Sequence, residues 1–199
     1  MLYPNNIKKK TDKVINYANR GMFLEELINE TNEYYLKKDI ALIYKKPTPI
    51  GISKVKYENG KKILEKGYFK EKSTLDYNGL YNGFYLDFEA KESLSNTSFP
   101  LSNIKTHQTN HIRNVIKHHG ISFLIVKINK DFYYLDGHDY LDFIDQNDRK
   151  SIPIEYFNEK GYKLKLSYNP SLDYLEIVDK IYRIKDGLKW NYLKRKIKQ

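Results

Sequence analysis

One predicted strand carries acidic and basic side chains on a single face. Residues 84–91 alternate between apolar and polar types, which places Asp87, Glu89 and Lys91 on the same side of the strand. A carboxylate beside a lysine suits phosphodiester cleavage, because the ammonium group can stabilise the negative charge that develops on the phosphate. The same Glu-x-Lys spacing is also common on the solvated face of an edge strand, so it needs a second observation.

A hairpin turn supplies that observation. Asn82-Gly83 favours a two-residue type I′ turn, which pairs Tyr81 with Phe84 and fixes the register of the two strands. In this register Asp76 lies directly across from Glu89. Side chains in such a pair have Cβ atoms about 4.5 to 5.5 Å apart, so two carboxylates there repel each other unless a cation lies between them.

Magnesium is the cation that suits this pair of carboxylates. Its ligands are hard oxygen atoms, and it also binds the oxygens of a substrate phosphate; Mn²⁺ is the substitute to be tested. The register further places Thr74 across from Lys91. Gln108 lies on the apolar face of the next predicted helix, where it either reaches a water molecule on the metal or is a hydrogen-bonded amide of the core.

Two alternatives to this metal site remain open. Asp87 shares the face of the same strand and could replace Asp76 as the ligand. His107 and His111 are four residues apart on a predicted helix, as zinc ligands can be, although Gln108 occupies the place of the glutamate in zinc proteases.

The remaining periodicity predicts an α/β fold with a mixed central sheet flanked by helices. Helical spacing is found at 22–38, 98–120, 138–146, 152–159 and 173–184. Further strands are predicted at 40–44, 121–128, 132–135 and 162–168.

A basic hairpin is predicted to project from this sheet. Residues 50–57 and 61–69 flank the turn signal Glu58-Asn59-Gly60, and two prolines in Lys45-Lys-Pro-Thr-Pro49 end the preceding strand. From Lys45 to Lys72 the chain carries nine lysines and three glutamates, which favours contact with an anionic partner.

The composition indicates one globular domain with basic ends. The chain has 199 residues, 40% of them hydrophobic and 30% charged, and its net charge is +10. This charge points to nucleic acid or an anionic membrane surface, although AT-rich codons would also raise the lysine content. We predict a flexible basic arm at 1–20, a nuclease domain at 21–184 with its hairpin at about 46–70, and a basic tail at 185–199.

Several other classes of protein lack support in the sequence. The longest apolar stretches are too short to span a bilayer, the N-terminus has no signal-peptide core, and cysteines are absent, so the cytoplasm is the expected compartment. No phosphate loop, dinucleotide fingerprint or serine-hydrolase elbow occurs, so the predicted hydrolysis requires no nucleotide.

Longer motifs surround the candidate residues along most of the chain. They are Tyr3-Pro-Asn5, Asn19-Arg-Gly-Met22, Leu24-Glu-Glu26, Ile28-Asn-Glu-Thr-Asn32, Tyr34-Tyr-Leu36, Lys45-Lys-Pro-Thr-Pro49, Ser73-Thr74, Asp76-Tyr-Asn-Gly79, Asp87-Phe-Glu-Ala-Lys-Glu92 and Thr97-Ser-Phe-Pro-Leu101. Together they resemble bacterial RecU Holliday junction resolvases, from about residue 19 to residue 178. Asp76 with Glu89-Ala-Lys91 is also similar to the PD-(D/E)-x-K nuclease signature, although no proline precedes Asp76.

The resemblance implies a restriction-endonuclease-like fold, a homodimer, and paired nicks that resolve four-way DNA junctions in recombination and repair. It implies Mg²⁺ ligands at Thr74, Asp76, Glu89 and Gln108, and a lysine at Lys91 that stabilises the transition state. The basic hairpin corresponds to the family's stalk, which enters the junction, and a recombinase or branch-migration protein is a candidate partner. Contacts with DNA are expected at Arg20, Lys45, Lys46, Lys54, Lys56, Lys61 and Lys62.

Two other functions would share these features. One is a non-catalytic scaffold that binds junctions during recombination, against which the intact Asp76, Glu89 and Lys91 argue. The other is a restriction- or repair-type endonuclease that cuts ordinary duplex DNA. Only the projecting hairpin and the wider resemblance argue against that second alternative.

Overall fold

The computed structural model describes residues 20–70 and 74–182, and the side chains of residues 20–22 are outside that description. The predicted arm, apart from the backbone of Arg20, and the predicted tail therefore lie outside the described residues. The helices are α1 (Arg20–Lys37), α2 (Thr106–Lys117), α3 (Gly137–Gln146), α4 (Ile154–Glu159) and α5 (Leu175–Tyr182). The strands are β1 (Leu42–Lys45), β2 (Ile50–Glu58), β3 (Lys61–Phe69), β4 (Tyr77–Tyr81), β5 (Phe84–Ser93), β6 (Ser98–Pro100), β7 (Ile121–Ile128), β8 (Asp131–Asp136), β9 (Ser151–Pro153) and β10 (Tyr162–Leu164).

A six-stranded mixed sheet forms the centre of the fold. Its strand order is β1-β4-β5-β7-β8-β10, in which β5 and β7 run parallel and the other neighbours run antiparallel. The core cluster on one face includes side chains of α1 and α5, and the cluster on the other face includes side chains of α2, α3 and α4. The predicted mixed sheet with flanking helices is therefore confirmed.

Strand β5 lies in the interior of this sheet and is buried on both faces. Leu86, Phe88 and Ala90 belong to the core cluster with α1 and α5, while Asp87 and Glu89 on the opposite face are fully buried. The alternative of a solvated face on an edge strand is therefore wrong. Burial makes the charges of Asp87 and Glu89 depend on partners inside the protein.

Stacked aromatic rings hold β5 against its neighbours. Tyr77, Phe88, Phe123 and Tyr134 form a row across β4, β5, β7 and β8, with ring centroids 4.9, 4.6 and 4.6 Å apart. Such aromatic pairs contribute about 0.5 to 1.5 kcal/mol each beyond their buried area. The row supports the strand that carries the candidate site from the side facing α1 and α5.

The predicted turn between β4 and β5 is confirmed. Asn82 and Gly83 have φ angles of 48° and 83°, and Tyr81 pairs with Phe84. Both positive angles match a type I′ turn, which asparagine and glycine tolerate. On the other side of β4, a Cβ atom at Gly79 would lie 2.0 Å from the carbonyl oxygen of Leu42 in β1, so only glycine allows this close pairing.

The predicted helix at 98–120 is wrong in its first third. Residues 98–100 form β6, which pairs with β9, a 3-10 turn follows at Leu101–Asn103, and α2 spans only Thr106–Lys117. Pro100 lacks an N–H group and disfavours a helical residue before it, so a short strand that finds a partner in β9 replaces the helix.

Smaller differences concern where the other elements begin and end. Pro153 likewise separates β9 from α4, which shortens the helix predicted at 152–159. The strand predicted at 162–168 ends at Leu164, and β1 begins at Leu42 rather than at residue 40. The remaining helices and strands agree with the prediction to within about two residues, a normal uncertainty for element ends.

The segment between β1 and β4 forms a separate two-stranded sheet. Strands β2 and β3 pair with each other through a turn at Asn59 and Gly60, and the N–H of Lys70 donates to the carbonyl of Pro49 at their base (2.9 Å). Every residue from 52 to 69 is exposed. A two-stranded sheet without a core is only marginally stable on its own. Its stability therefore depends on its connection to the central sheet at residues 46–49.

Among the described residues, no helix combines the length and the apolar composition needed to span a membrane.

Candidate active site

The structure brings Asp76 and Glu89 together at the end of the β4–β5 ladder. Glu89 is fully buried on β5 and Asp76 is 5% exposed. The backbone N–H of Asp76 donates to Glu89 Oε2 at 3.0 Å. This hydrogen bond places the two carboxylate-bearing residues next to each other, as the register suggested.

Asp76 itself lies just outside the ladder, which changes the prediction for Thr74. The last pair between β4 and β5 is Tyr77 with Phe88, so the predicted pairing of Thr74 with Lys91 does not form. The reason is that the Asp76 N–H is used by Glu89, while its carbonyl accepts the backbone N–H of Lys46 at 2.8 Å. The backbone ladder between β4 and β5 therefore ends at the pair of Tyr77 and Phe88.

Lys91 completes the group of charged side chains. Its ammonium Nζ lies 2.5 Å from Glu89 Oε1 and 3.6 Å from Asp76 Oδ2, and the side chain is 33% exposed. One end of this cluster is therefore buried in the sheet, and the lysine side opens towards solvent. Two carboxyl groups share one ammonium group, so the cluster carries a net negative charge in a mostly buried place when both carboxyls are ionised.

The pKa values of these groups reflect burial and mutual contact. Burial, helped by Asp76, raises the pKa of the Glu89 carboxyl to about 7, against the opposing effect of Lys91. Burial also opposes the charged form of Lys91, but the carboxylates of Glu89 and Asp76 outweigh it and raise the pKa of the ammonium. Lys91 therefore stays protonated, and a bound cation would favour the ionised form of Glu89.

Gln108 and Thr74 carry the neutral oxygen atoms predicted from the sequence as metal ligands. Gln108 is buried at the start of α2, and its side-chain Oε1 accepts the N–H of Lys105 at 2.9 Å. Thr74 is half-buried, and its Oγ1 lies 3.5 Å from the carbonyl of Leu75. The side-chain oxygen of Gln108 thus caps the start of the helix. This agrees with the alternative in which Gln108 is a hydrogen-bonded amide inside the protein.

The donor set fits a hard divalent cation. Within residues 20–70 and 74–182, no group of three or more His, Cys, Asp and Glu side chains could hold a metal. A cation at this site would therefore rely on the two carboxylates of Asp76 and Glu89, with neutral oxygens and waters completing the shell. Mg²⁺ binds in this way, commonly through one or two carboxylates.

Asp87, the alternative ligand, is occupied by other contacts. Its Oδ2 accepts from Lys46 Nζ at 2.7 Å and from the Tyr85 hydroxyl at 2.5 Å, and it lies 3.2 Å from His111 Nε2. Burial and the hydrogen bond to Asp87 raise the pKa of Tyr85 to about 12, so this phenol remains a donor. Sequence reasoning missed the role of Lys46, because the burial of Asp87, which creates the need for donors, is visible only in the structure.

The lysines predicted to contact DNA differ in whether their ammonium groups form ion pairs within the protein. Ion pairs in the structure join Lys45 to Glu25, Lys46 to Asp87, Lys54 to Glu65 and Lys56 to Glu58. Lys61 and Lys62 are exposed beside the hairpin turn, with the Lys62 ammonium 5.8 Å from the centre of the Tyr57 ring. Exposed ion pairs are weak, so those of Lys54 and Lys56 leave these lysines available to phosphates. The side chain of Arg20 lies outside the described residues.

Residues 19–180 match the sequence profile of the family described as Recombination protein U. The chain belongs to the RecU family. A relative from Bacillus cereus (strain B4264) is 45% identical over 181 residues, which cover 88% of this chain and 90% of that protein. Relatives from Bacillus cereus (strain AH820) and Bacillus thuringiensis subsp. konkukian are 46% identical over 182 residues, or 88% of each chain. All three are named Holliday junction resolvase RecU.

The RecU match contains the whole candidate site. It includes β4, β5, the hairpin and α2, and it ends before the predicted basic tail. The resemblance stated from the motifs is thereby confirmed.

Proposed function

We propose that this chain is a Holliday junction resolvase, an endonuclease that makes paired symmetric nicks in four-way DNA junctions during recombination and repair. The observation that carries the proposal is the cluster of Asp76, Glu89 and Lys91 in a chain of the RecU family. Burying two carboxylates beside one lysine is costly for a purely structural role, whereas a nuclease uses this charge distribution to bind a cation.

In this proposal Asp76 and Glu89 hold Mg²⁺, and Thr74 and Gln108 complete the ligand set through neutral oxygens or waters. When bound, the cation would supply Lewis-acid stabilisation of the phosphate oxygens, and Mn²⁺ is the substitute to be tested. Lys91 remains protonated between the carboxylates and stabilises the negative charge that develops on the phosphate during attack by water. To complete the ligand set, Gln108 Oε1 would have to release the N–H of Lys105 and bind a water molecule on the metal instead.

The other elements have proposed roles in recognition. The fold is restriction-endonuclease-like, the hairpin is a stalk that contacts the junction, and its exposed lysines neutralise phosphates. The nuclease domain spans 21–184, and the basic segments 1–20 and 185–199 add further phosphate contacts. A homodimer presents two sites to the two strands that must be cut. The proposed compartment is the cytoplasm. The proposed protein partner is a recombinase or a branch-migration protein.

The direct test compares a labelled synthetic four-way junction with linear duplex of the same sequence, in Mg²⁺ or EDTA. Wild type is expected to nick the junction symmetrically and only with the metal, and Asp76→Ala is expected to bind without cutting. Equal cutting of the duplex would indicate a general endonuclease instead. Binding by the wild type without any cutting would indicate a non-catalytic scaffold.

A further inference from the structure

Asp87 is a buried charge at the meeting point of three elements. It lies on β5, two residues before Glu89, and its side chain is fully buried. Its Oδ2 contacts Lys46 from the base of the hairpin, Tyr85 from β5 and His111 from α2. The other oxygen, Oδ1, has no hydrogen-bond partner among the described residues. The carboxylate therefore depends on the contacts at Oδ2.

Lys46 links Asp87 to the candidate active site through a second contact. Its side chain is 19% exposed, with the ammonium 2.7 Å from Asp87 Oδ2. Its backbone N–H donates to the carbonyl of Asp76 at 2.8 Å. One residue thus holds both the segment that carries Asp76 and the strand that carries Glu89.

The same cluster also reaches the helix that carries Gln108. His111 follows Gln108 by three residues on α2, about one helical turn, so the two residues lie on neighbouring positions of the helix surface. Through the contact of His111 with Asp87, the start of α2 is tied to β5. Three of the residues proposed as metal ligands are therefore held by elements that meet at Asp87.

We propose that Lys46 and Asp87 form a positioning pair that sets the geometry of the catalytic carboxylates and connects the base of the hairpin to the active site. Neither residue touches substrate in this role. The inference rests on the proposed function and deepens it, because it removes Lys46 from the predicted DNA contacts. A buried carboxylate that loses its ammonium partner is destabilised, so we expect β5 and the Lys46 segment to shift relative to each other.

The test uses Lys46→Met, Asp87→Asn and the double variant. Lys54→Met serves as the comparison for a phosphate contact, and Lys117→Met, at an exposed position near the end of α2, is the control for cleavage. Lys46→Met keeps the aliphatic stem and the backbone N–H and removes only the ammonium. We expect both single variants to cut a saturated junction about 10- to 100-fold more slowly in single-turnover experiments. The double variant is expected to be no slower than the slower single variant, because both changes disrupt one interaction. Lys46→Arg should recover most of the rate.

Binding measurements separate positioning from phosphate contact. Junction affinity and its salt dependence should be unchanged in Lys46→Met, whereas Lys54→Met, at an expected phosphate contact, should reduce the salt slope by about one. Lys117→Met should cut a saturated junction at the wild-type rate. A reduced salt slope with a wild-type rate for Lys46→Met would overturn the proposal and make Lys46 a phosphate contact. If Asp87→Asn does not fold, the comparison of Lys46→Met with Lys46→Arg decides alone.

Binding of Mn²⁺ to the protein without DNA, followed by electron paramagnetic resonance, gives a readout that needs no cleavage. Lys46→Met is expected to lower the Mn²⁺ affinity by about tenfold or more, with Asp76→Ala as the control that abolishes binding. If the wild type cuts no junction, the proposed function fails, and the Mn²⁺ affinities still test the positioning pair. Equal affinities in wild type and Lys46→Met would overturn it.

Discussion

Lys91 lies between two carboxylates and keeps its charge, so its proposed role is electrostatic. Its ammonium nitrogen lies 2.5 Å from Glu89 Oε1 and 3.6 Å from Asp76 Oδ2. Removing the lysine leaves the proposed metal ligands in place but takes away the group that meets charge on the phosphate. Removing Asp76 instead takes away a proposed metal ligand. Under this assignment both changes affect the chemical step rather than DNA binding.

We therefore expect Lys91→Ala and Asp76→Ala to lower the single-turnover rate of junction cleavage by about 10² to 10³ or more, with junction binding retained. The rate is measured with the junction saturated by protein, and binding is measured in Ca²⁺ or EDTA. Lys117→Ala, at an exposed position near the end of α2, is the control. Wild-type cleavage by either site variant would show that the assignment is wrong.

The raised pKa of Glu89 predicts how stability depends on pH when no metal is present. The ordinary pKa is 4.5, and the buried carboxyl in the folded chain titrates near 7, because burial disfavours its charge. The folded state then binds a proton that the unfolded state has already released. The contribution of Glu89 to the free energy of unfolding is thus full below its ordinary pKa and is lost as the pH rises through 7.

Glu89→Gln should remove this component of the pH dependence. Urea unfolding with EDTA, at several values from about pH 5 to pH 8, should show wild type losing stability relative to the variant as the pH rises. Parallel curves for the two proteins would contradict the shifted pKa. Added Mg²⁺ should raise the stability of wild type at high pH, because it binds the ionised pair in the folded state.

At the scale of elements, the hairpin of β2 and β3 is the part of the structure least supported by the core. Its residues 52–69 are exposed, and apolar side chains such as Ile52, Tyr57 and Phe69 are more than half exposed. Surfaces of this kind mark contacts with other molecules. The strands of the central sheet, by contrast, are held by buried aromatic rings. The hairpin can therefore be shortened without unfolding the sheet that carries the candidate site.

Replacing Val55–Leu64 with Asn-Gly should leave a short hairpin on an intact core. We expect this variant to bind duplex DNA and to unfold at nearly the wild-type temperature, but to lose junction cleavage. A full-length hairpin carrying Lys61→Gln and Lys62→Gln is the matched control, since it separates the shape of the tip from its charge. Unchanged junction cutting by the shortened protein would exclude the hairpin from the mechanism.

At the scale of the whole molecule, the net charge of +10 should make junction binding strongly dependent on salt. Each neutralised phosphate releases counterions, so affinity falls linearly with salt on logarithmic axes. The Lys61→Gln, Lys62→Gln variant should lower that slope by about two if both lysines contact phosphates. The measurement is a titration of labelled junction at several salt concentrations in EDTA. An unchanged slope would place the phosphate contacts elsewhere.

The sequence by itself determined the local geometry of the candidate site. Asn82-Gly83 dictated a turn, the turn dictated the register, and the register brought Asp76 towards Glu89, because turn chemistry and strand alternation act over a few residues. The motifs also identified the family. Only the tertiary structure decided that β5 is buried on both faces, that residues 98–100 pair with β9, and that Lys46 donates a hydrogen bond to Asp87. These outcomes depend on burial and on contacts between residues 41 or more positions apart, which no local pattern encodes.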